Sequence, residues 1–477
     1  MPVFWCRGRL AVSGLLPACG GRDIDAEPGE TGPGQPAPNP TAAASTYTRM
    51  VLLARASRSP LLIWIVFAAV HIAVFVGTLP FTFRGTAGGD VSVYQGWMHH
   101  AIFTGDWPVF DHDWVYPAGA LVPMLIPAVL GFGLYQVVWL VLMAVVNGVA
   151  LWLLLDKSKR RHDLTAPWFW VATIAILAPV ALMRLEGLVG PAVVVALLVV
   201  TARPRVAGFL LAAATWIKVW PAAVVLAMVI ASSKRWIALV TGILTSAVVV
   251  GVVLAAGGAR YLTSFVGEQG SRGLQIEAPF AAPWLWMTVA GVPGAHIYHD
   301  HKLVTEEVTG PGDSWLISNG TLIMVVVMAA LLVLLALATR RLSAFAKPLG
   351  RELDLVLLGA LGLAAAFIVF NKVGSPQYVL WLTPIVAVGL MTKRSEWRFP
   401  GAVLVIVCVL TTLVYPVLYD DLLAGGVGTA LLLTLRNLLL IVIFVWATYR
   451  LARAAFVPVT LPLSTRPFGS EVRTTSY

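Results

Sequence analysis

An aspartate stands at the edge of an apolar run, where it could act as a general base. Asp90 follows a Gly-Gly pair shortly after the apolar stretch 61–79, and Tyr94 lies one helical turn beyond it. Partial burial at such a boundary raises the pKa of a carboxyl group and strengthens the carboxylate as a base. Asp90 is therefore a candidate to take a proton from an acceptor hydroxyl. The alternative is structural, because Asp90 could instead cap a helix that begins near Val91.

Four isolated cations lie at the predicted level of the membrane surface: Arg184, Lys218, Arg272 and Lys372. Charges at this depth are costly, so they tend to face a water-filled cavity that holds a partner. The phosphate or diphosphate of an anionic lipid would suit them. Pairing with Glu186 or Glu277, pairing with backbone carbonyls and snorkelling to the surface are the alternatives.

Two polar segments combine hydrogen-bond donors and acceptors with glycine. The segments are 271–277, with Gln275 and Glu277, and 371–378, with Asn371, Gln377 and Tyr378. A sugar-binding site needs this mixture of groups, and an ordinary polar loop shows it too.

The elements that must position these residues are membrane helices. Of the 477 residues, 59% are hydrophobic and only 12% are charged, whereas about a quarter of the residues of a soluble domain are charged. Apolar runs of 17 to 25 residues recur, and each could cross the hydrocarbon core as a helix. The sequence therefore predicts an all-α polytopic membrane protein. The net charge of +10 comes from basic clusters between apolar runs, a positive-inside pattern that argues against a nucleic-acid partner.

Taking the basic clusters as cytoplasmic predicts about twelve transmembrane helices, both termini in the cytoplasm and the polar loops outside the plasma membrane. The predicted parts are a disordered segment 1–59, a core 60–256 with the first outer loop 81–116, a long outer loop 257–315, helices over 316–450 and a cytoplasmic tail 451–477. The stretch 117–132, broken by prolines, is predicted to be re-entrant or to lie on the surface. Met50 is a candidate initiator, because the preceding residues read as linker.

No metal site is predicted. His296, His299 and His301 lie close together with Asp300, but their spacing matches no fixed ligand template. Cysteine offers no disulfide framework either.

The order of the motifs resembles a known family. The motifs are Asp90 in the first outer loop, a Tyr116-Pro117 entry to the next helix, a Lys-x-x-Pro turn from Lys218 to Pro221, a long loop after the seventh span, and the segment 371–378 before a late span. Over about residues 60–450 the chain resembles the GT-C class of membrane glycosyltransferases, specifically glycosyltransferase family 87. That family includes actinobacterial mannosyltransferases and arabinofuranosyltransferases of cell-envelope lipoglycans.

The resemblance implies an enzyme that moves a sugar, mannose first among the candidates, from a polyprenyl-phosphate donor to a lipid-anchored glycan on the outer face. It implies inversion, with Asp90 as the base and no cofactor. The donor phosphate would be bound by Lys218, Arg272, Lys372 and Arg184. The sugar and acceptor contacts would be Tyr94, Trp107, Tyr116, Gln275, Glu277, Asn371, Gln377 and Tyr378, with Trp107 and Tyr378 stacking on sugar rings. Two departures are noted: no acidic residue follows Asp90 directly, which argues against a metal, and Tyr116-Pro117-Ala118 replaces the usual Tyr-Pro-Pro.

Three other functions remain open. A transporter or flippase for a polyprenyl-linked sugar or other lipid would often show repeated halves, and no internal repeat is visible. An oligosaccharide ligase or polymerase with a diphosphate donor would share the fold class. A non-catalytic scaffold with a degenerate site is the third.

Overall fold

The computed structural model describes residues 59–270, 272–301, 305–344 and 351–457. The predicted disordered segment, including Met50, lies outside the described residues except for Ser59. Most of the predicted tail lies outside them as well.

The described chain is largely helical. Its α-helices are α1 (Pro60–Phe83), α2 (Asp90–Thr104), α3 (Leu121–Ala128), α4 (Tyr135–Lys159), α5 (Thr165–Ile176), α6 (Ala178–Leu182), α7 (Glu186–Val199), α8 (Pro204–Ile217), α9 (Ala222–Ala231), α10 (Arg235–Ala255), α11 (Ser264–Gly270), α12 (Ala282–Val289), α13 (Asp313–Ala344), α14 (Arg351–Val369), α15 (Thr383–Thr412), α16 (Tyr419–Leu423) and α17 (Val427–Phe456).

Seven helical stretches among the described residues are long and apolar enough to cross a membrane: Pro60–Phe83, Phe132–Lys159, Arg235–Ala255, Asp313–Leu342, Arg351–Val369, Pro376–Val417 and Val427–Phe456. Five shorter apolar helices accompany them: Ala118–Ala128, Thr165–Ile176, Glu186–Val199, Pro204–Ile217 and Ala222–Ala231. The protein is therefore an all-α polytopic membrane protein, as predicted. The total of twelve spans stays a prediction.

The helix termini meet at two ends of the bundle. At the Asp90 end, the loop after α1 contacts the start of α4, because the Gly88 N–H donates to Gln136 Oε1 at 3.0 Å. At the opposite end, here called the basic end, Arg161 donates to the Thr392 carbonyl at 2.7 Å. α1 has 24 residues, so the two ends are about 36 Å apart, close to the thickness of a bilayer.

The bundle is centred on α14, which is buried along most of its length. Its apolar residues surround the whole helix, which is the pattern of a helix packed on all sides. Elsewhere, a small residue lets two helices approach: a Cβ at Gly208 of α8 would lie 2.2 Å from the Ala238 carbonyl oxygen of α10. Any side chain there would push these helices apart.

The predicted outer loop 257–315 has structure that the sequence analysis missed. It contains α11, α12 and an antiparallel sheet in the order β1 (Leu274–Gln275), β3 (Thr305–Thr309) and β2 (His296–Asp300). Both outer strands pair with β3, and Val308 of β3, which lies opposite Leu274 and Ile297, is buried. Strands this short leave only a weak alternation of apolar and polar residues, so the loop reads as irregular polar sequence.

Candidate active site

Asp90 is the first residue of α2, and it does not cap that helix with its side chain. The residue at the N-cap is Gly89, whose φ of 56° lies in the region that favours glycine. The Asp90 side chain is 32% exposed. The alternative that Asp90 caps the helix is therefore wrong. Its carboxylate faces Arg184 instead.

The partner of Asp90 is Arg184, which lies between α6 and α7. Its Nε is 3.2 Å from Asp90 Oδ2. The same guanidinium donates to Gln377 Oε1, and its Nη2 lies 3.3 Å from the Tyr415 hydroxyl. Arg184 thus connects the start of α2 to two segments from the other half of the chain.

A second ion pair lies beside the first. Lys218, in the turn between α8 and α9, has its Nζ 3.1 Å from Glu186 Oε1, and the Glu186 side chain is only 1% exposed. The Lys218 ammonium also lies 4.4 Å from the centre of the Tyr116 ring, within cation–π range. Pairing with Glu186 was one of the alternatives for these cations, and Lys218 forms that pair.

The charges of the two ion pairs, Asp90 with Arg184 and Glu186 with Lys218, compensate one another. These four residues are called the charged site below. Burial raises the pKa of Asp90 above its usual range, and this effect outweighs Arg184, whose positive charge lowers it. Burial alone would lower the pKa of Lys218, but Glu186 reverses the shift and raises it. Two carboxylates and two cations leave no net charge, so a bound phosphate needs a further cation.

Arg272 is a candidate for that further cation. It lies near enough to Tyr378 for electrostatic interaction, and Tyr378 in turn interacts with Lys218. Arg272 Nε is buried and has no hydrogen-bond partner within the described part of the chain. No ion pair to Arg272 is formed there either. Its charge is therefore available to a ligand.

Aromatic rings surround the charged groups. Tyr94 is 1% exposed and packs against Trp139, with ring centres 5.2 Å apart, and against Tyr116 at 6.3 Å. Tyr378 stacks on Trp381 at 3.9 Å. Trp107 is different: its backbone N–H donates to Asp111 at 2.8 Å, and no hydrogen bond or ring contact joins it to Asp90 among the described residues. Stacking of Trp107 on a sugar stays a prediction without support from this arrangement.

The two polar segments of the sequence analysis bind each other. Gln275 Oε1 accepts from the Gly374 N–H and the Ser375 hydroxyl, both at 3.2 Å, and the Gln275 N–H donates to the Lys372 carbonyl at 2.9 Å. A Cβ at Gly374 would lie 2.3 Å from Ala278 Cα, so only glycine permits this approach. Gln275 is thus used in joining the segments.

Asn371 and Lys372 lie at this same junction. The Asn371 side chain accepts from the Val373 N–H at 3.1 Å, and Lys372 is 5% exposed and interacts electrostatically with Glu307 of the sheet. Burial lowers the pKa of Lys372. Neither side chain contacts Asp90 directly among the described residues.

Glu277 is buried in a neighbouring group. Its Oε1 accepts from the Tyr419 hydroxyl at 2.7 Å, and its backbone carbonyl accepts from Arg436 at 3.1 Å. Burial raises the pKa of the Glu277 carboxyl, and Arg436 and Arg184 both act on it to lower that pKa. Glu277 therefore lies close to the Arg184 side of the site, although no direct bond joins it to Asp90 within the described ranges.

Tyr415 is not among the residues predicted from the sequence, and Glu186 was predicted only as a possible partner of the cations. The sequence does carry a signal for Glu186, because it is an acidic residue at the start of an apolar helix, two residues after Arg184. Tyr415 lies at the end of a long apolar run, where a tyrosine is more often an interface anchor.

Comparison with protein families finds a match over part of the chain. Residues 114–296 match the family described as glycosyltransferase family 87. The matched stretch covers 183 of the 477 residues, and over this stretch the chain is similar to family 87. The match confirms the family that the order of the motifs predicts, and with it an enzyme that transfers a sugar. Comparison with curated proteins and with solved structures finds no significant match.

The region that matches family 87 contains one side of the charged site. Tyr116, Arg184, Glu186, Lys218 and Arg272 lie within residues 114–296. Asp90 precedes the region, and Gln377 and Tyr415 follow it. The site is therefore assembled from the matched region and from both flanks.

One histidine of the outer loop, His299, pairs with a carboxylate. His299 Nδ1 lies 2.7 Å from Glu306 Oε1, across the pair of β2 and β3. In the described ranges, no group of three or more His, Cys, Asp or Glu side chains is placed to bind a metal ion. The expected independence from metals and cofactors stays a prediction.

Proposed function

We propose that this glycosyltransferase moves a sugar from a polyprenyl-phosphate donor to a lipid-linked or glycan acceptor at the outer face of the plasma membrane. Asp90 removes the proton of the acceptor hydroxyl, and that oxygen attacks the anomeric carbon in a single displacement. The bond from the anomeric carbon to the phosphate oxygen breaks, and polyprenyl phosphate leaves with the electron pair. The configuration at the anomeric carbon inverts. Mannose is the first sugar to test.

One observation carries this proposal: a partly exposed carboxylate lies beside a group of cations. Asp90 is 32% exposed, and its raised pKa is that of a carboxylate with increased basicity. Fixed positive charge near the leaving phosphate stabilises the charge that develops in the transition state. Because Arg184 and Lys218 already have carboxylate partners, we assign the main phosphate contact to Arg272.

Arg272→Gln is expected to weaken donor binding more than it slows the chemical step. Loss of one or two charge-assisted hydrogen bonds to phosphate corresponds to an increase in the donor KM of about 10- to 100-fold. The thermal midpoint should stay close to that of the wild type, since Arg272 has no ion pair in the described chain to lose. Donor KM and kcat in detergent micelles would measure the effect.

Arg260→Gln is the matched control, because Arg260 is an exposed arginine of the same outer region. It should leave the donor KM unchanged. A donor KM for Arg272→Gln equal to that of this control would show that Arg272 does not bind the donor phosphate.

The proposed function is tested directly in membrane vesicles that contain the protein and a radiolabelled polyprenyl-phosphate sugar. The enzyme should move the label from the donor lipid into a new glycolipid or glycan and release polyprenyl phosphate. A transporter would instead change the leaflet of the labelled lipid without changing its chemical form. Intact donor after long incubation with a membrane extract of acceptors would contradict the polyprenyl-phosphate donor.

A further inference from the structure

A large cavity lies at the basic end of the bundle, away from the charged site. Its volume is about 1,000 Å³. Pro60 at the start of α1 lines it, whereas Asp90 follows the other end of that helix, about 36 Å away by helix length. The cavity therefore cannot share a small ligand with the Asp90 site.

The wall of this basic-end cavity is mainly apolar. It is formed by residues of α5 and α15 and by the loop before α5: Leu164, Trp168, Phe169, Leu390, Ala402 and Val405. Both helices belong to apolar stretches of the bundle. A wall of this kind accommodates hydrocarbon chains and gives a free, fully hydrated anion few partners.

The rim of the cavity has a surplus of positive charge. Lys159, Arg394 and Arg398 line it, with Asp163 as the single carboxylate among its described lining residues. Arg394 Nη1 lies 3.3 Å from Asp163 Oδ2, so these two charges compensate each other. Asp163 also accepts from the Thr165 N–H at 2.9 Å, and its lone pairs are thus largely occupied.

Two cations of the rim have no compensating group among the residues that the structure describes. Lys159 and Arg398 are exposed, and neither side chain forms an ion pair or a hydrogen bond within the described residues. Lys159 is the last residue of α4, and Arg398 follows the kink at Lys393 of α15, so both lie where apolar helix meets polar chain. This is the level at which lysine and arginine meet lipid phosphates at a membrane surface.

We propose that the basic-end cavity binds one anionic glycerophospholipid of the surrounding leaflet. Lys159 and Arg398 contact the phosphate of the headgroup, and the acyl chains lie along the apolar wall between α5 and α15. The charge surplus favours an anionic headgroup over a zwitterionic one. The inference is independent of the sugar-transfer proposal, because it rests on a separate cavity at the other end of the helices.

Native mass spectrometry of the full chain in detergent tests this inference. The protein is titrated with phosphatidylglycerol and, separately, with phosphatidylcholine of the same acyl chains. We expect a discrete one-to-one adduct with phosphatidylglycerol at concentrations where phosphatidylcholine gives little. Equal adducts with both lipids would overturn the proposal, because the rim charges would then have no role.

Two kinds of variant test whether the phosphatidylglycerol adduct forms at this cavity. Lys159→Gln combined with Arg398→Gln removes the surplus charge and should weaken phosphatidylglycerol binding about tenfold or more. Ala402→Trp keeps every charge but places a large ring at an exposed wall position, and it should also reduce the adduct. Arg205→Gln is the control, because Arg205 is an exposed arginine at the start of α8 that does not line the cavity.

The same variants also show which results would contradict the assignment of the lipid to this cavity. If both kinds of variant bind phosphatidylglycerol as the Arg205→Gln control does, the lipid binds elsewhere and the cavity assignment is wrong. Competition with polyprenyl phosphate distinguishes a glycerophospholipid in the cavity from a prenyl lipid. If polyprenyl phosphate displaces phosphatidylglycerol at a much lower concentration, the occupant is the single-chain prenyl lipid and the proposal is overturned.

Discussion

Asp90→Asn is expected to reduce sugar transfer by about 10²- to 10⁴-fold, the usual contribution of a general base. The amide of Asn keeps the size of the side chain and can still accept a hydrogen bond from Arg184. Arg184 also keeps Gln377 and Tyr415 as partners. The loss should therefore appear in kcat, with the donor KM and the thermal midpoint near the wild-type values. A partly exposed ion pair contributes only about 1 kcal/mol to stability.

Asp113→Asn is the matched control, because Asp113 is an exposed aspartate of the same predicted outer loop. It should transfer sugar at the wild-type rate. The pH profile gives a second readout. The base must be ionised to act, so activity falls as the pH falls through the pKa of Asp90, and this acid limb should lie above 3.8, the ordinary aspartate value. Normal transfer by Asp90→Asn would exclude Asp90 as the base.

Glu186→Gln is expected to destabilise the protein strongly. The change leaves the Lys218 ammonium beside Tyr116 without its carboxylate, and breaking a buried ion pair from one side costs about 3–5 kcal/mol. Lys218→Met should cost a similar amount, since the Glu186 carboxylate is then left buried. Unfolding of the purified variants in mixed detergent and SDS would measure the change.

The double variant Glu186→Gln with Lys218→Met distinguishes the ion pair from its separate charges. It removes both charges, so most of the lost stability should return. We also expect its donor KM to change less than that of Arg272→Gln, because the charge of Lys218 is compensated by Glu186 in the resting protein. Losses in the two single variants that simply add in the double variant would mean that the pair is not coupled.

The helices could be predicted from the sequence because their signal is local. Each apolar run is long enough to determine a helix by itself, and the run 61–79 falls within α1. α15 has a non-helical backbone at Lys393, within a basic segment that separates two apolar runs. The small sheet could not be predicted in this way, because its strands are short and its pairing depends on distant contacts.

The candidate site was predictable in part. Asp90, Arg184 and Lys218 carry charge where charge is costly, and that is visible in a single sequence. Their partners are not visible in the same way. Gln377 lies 193 residues from Arg184, and its amide reads like any other loop amide. The pairing of Lys218 with Glu186 was one of several open alternatives, and only the geometry selects it.

The contacts of Arg184 set a lower limit on the size of a working unit. Its guanidinium joins Asp90 before the family-matched region to Gln377 and Tyr415 after it. A gene fragment that encodes residues 114–296 alone would supply the arginine but neither the acid nor its distal partners. On the proposed mechanism, a truncated protein that retains sugar transfer is therefore expected to keep Asp90, Gln377 and Tyr415 together with Arg184.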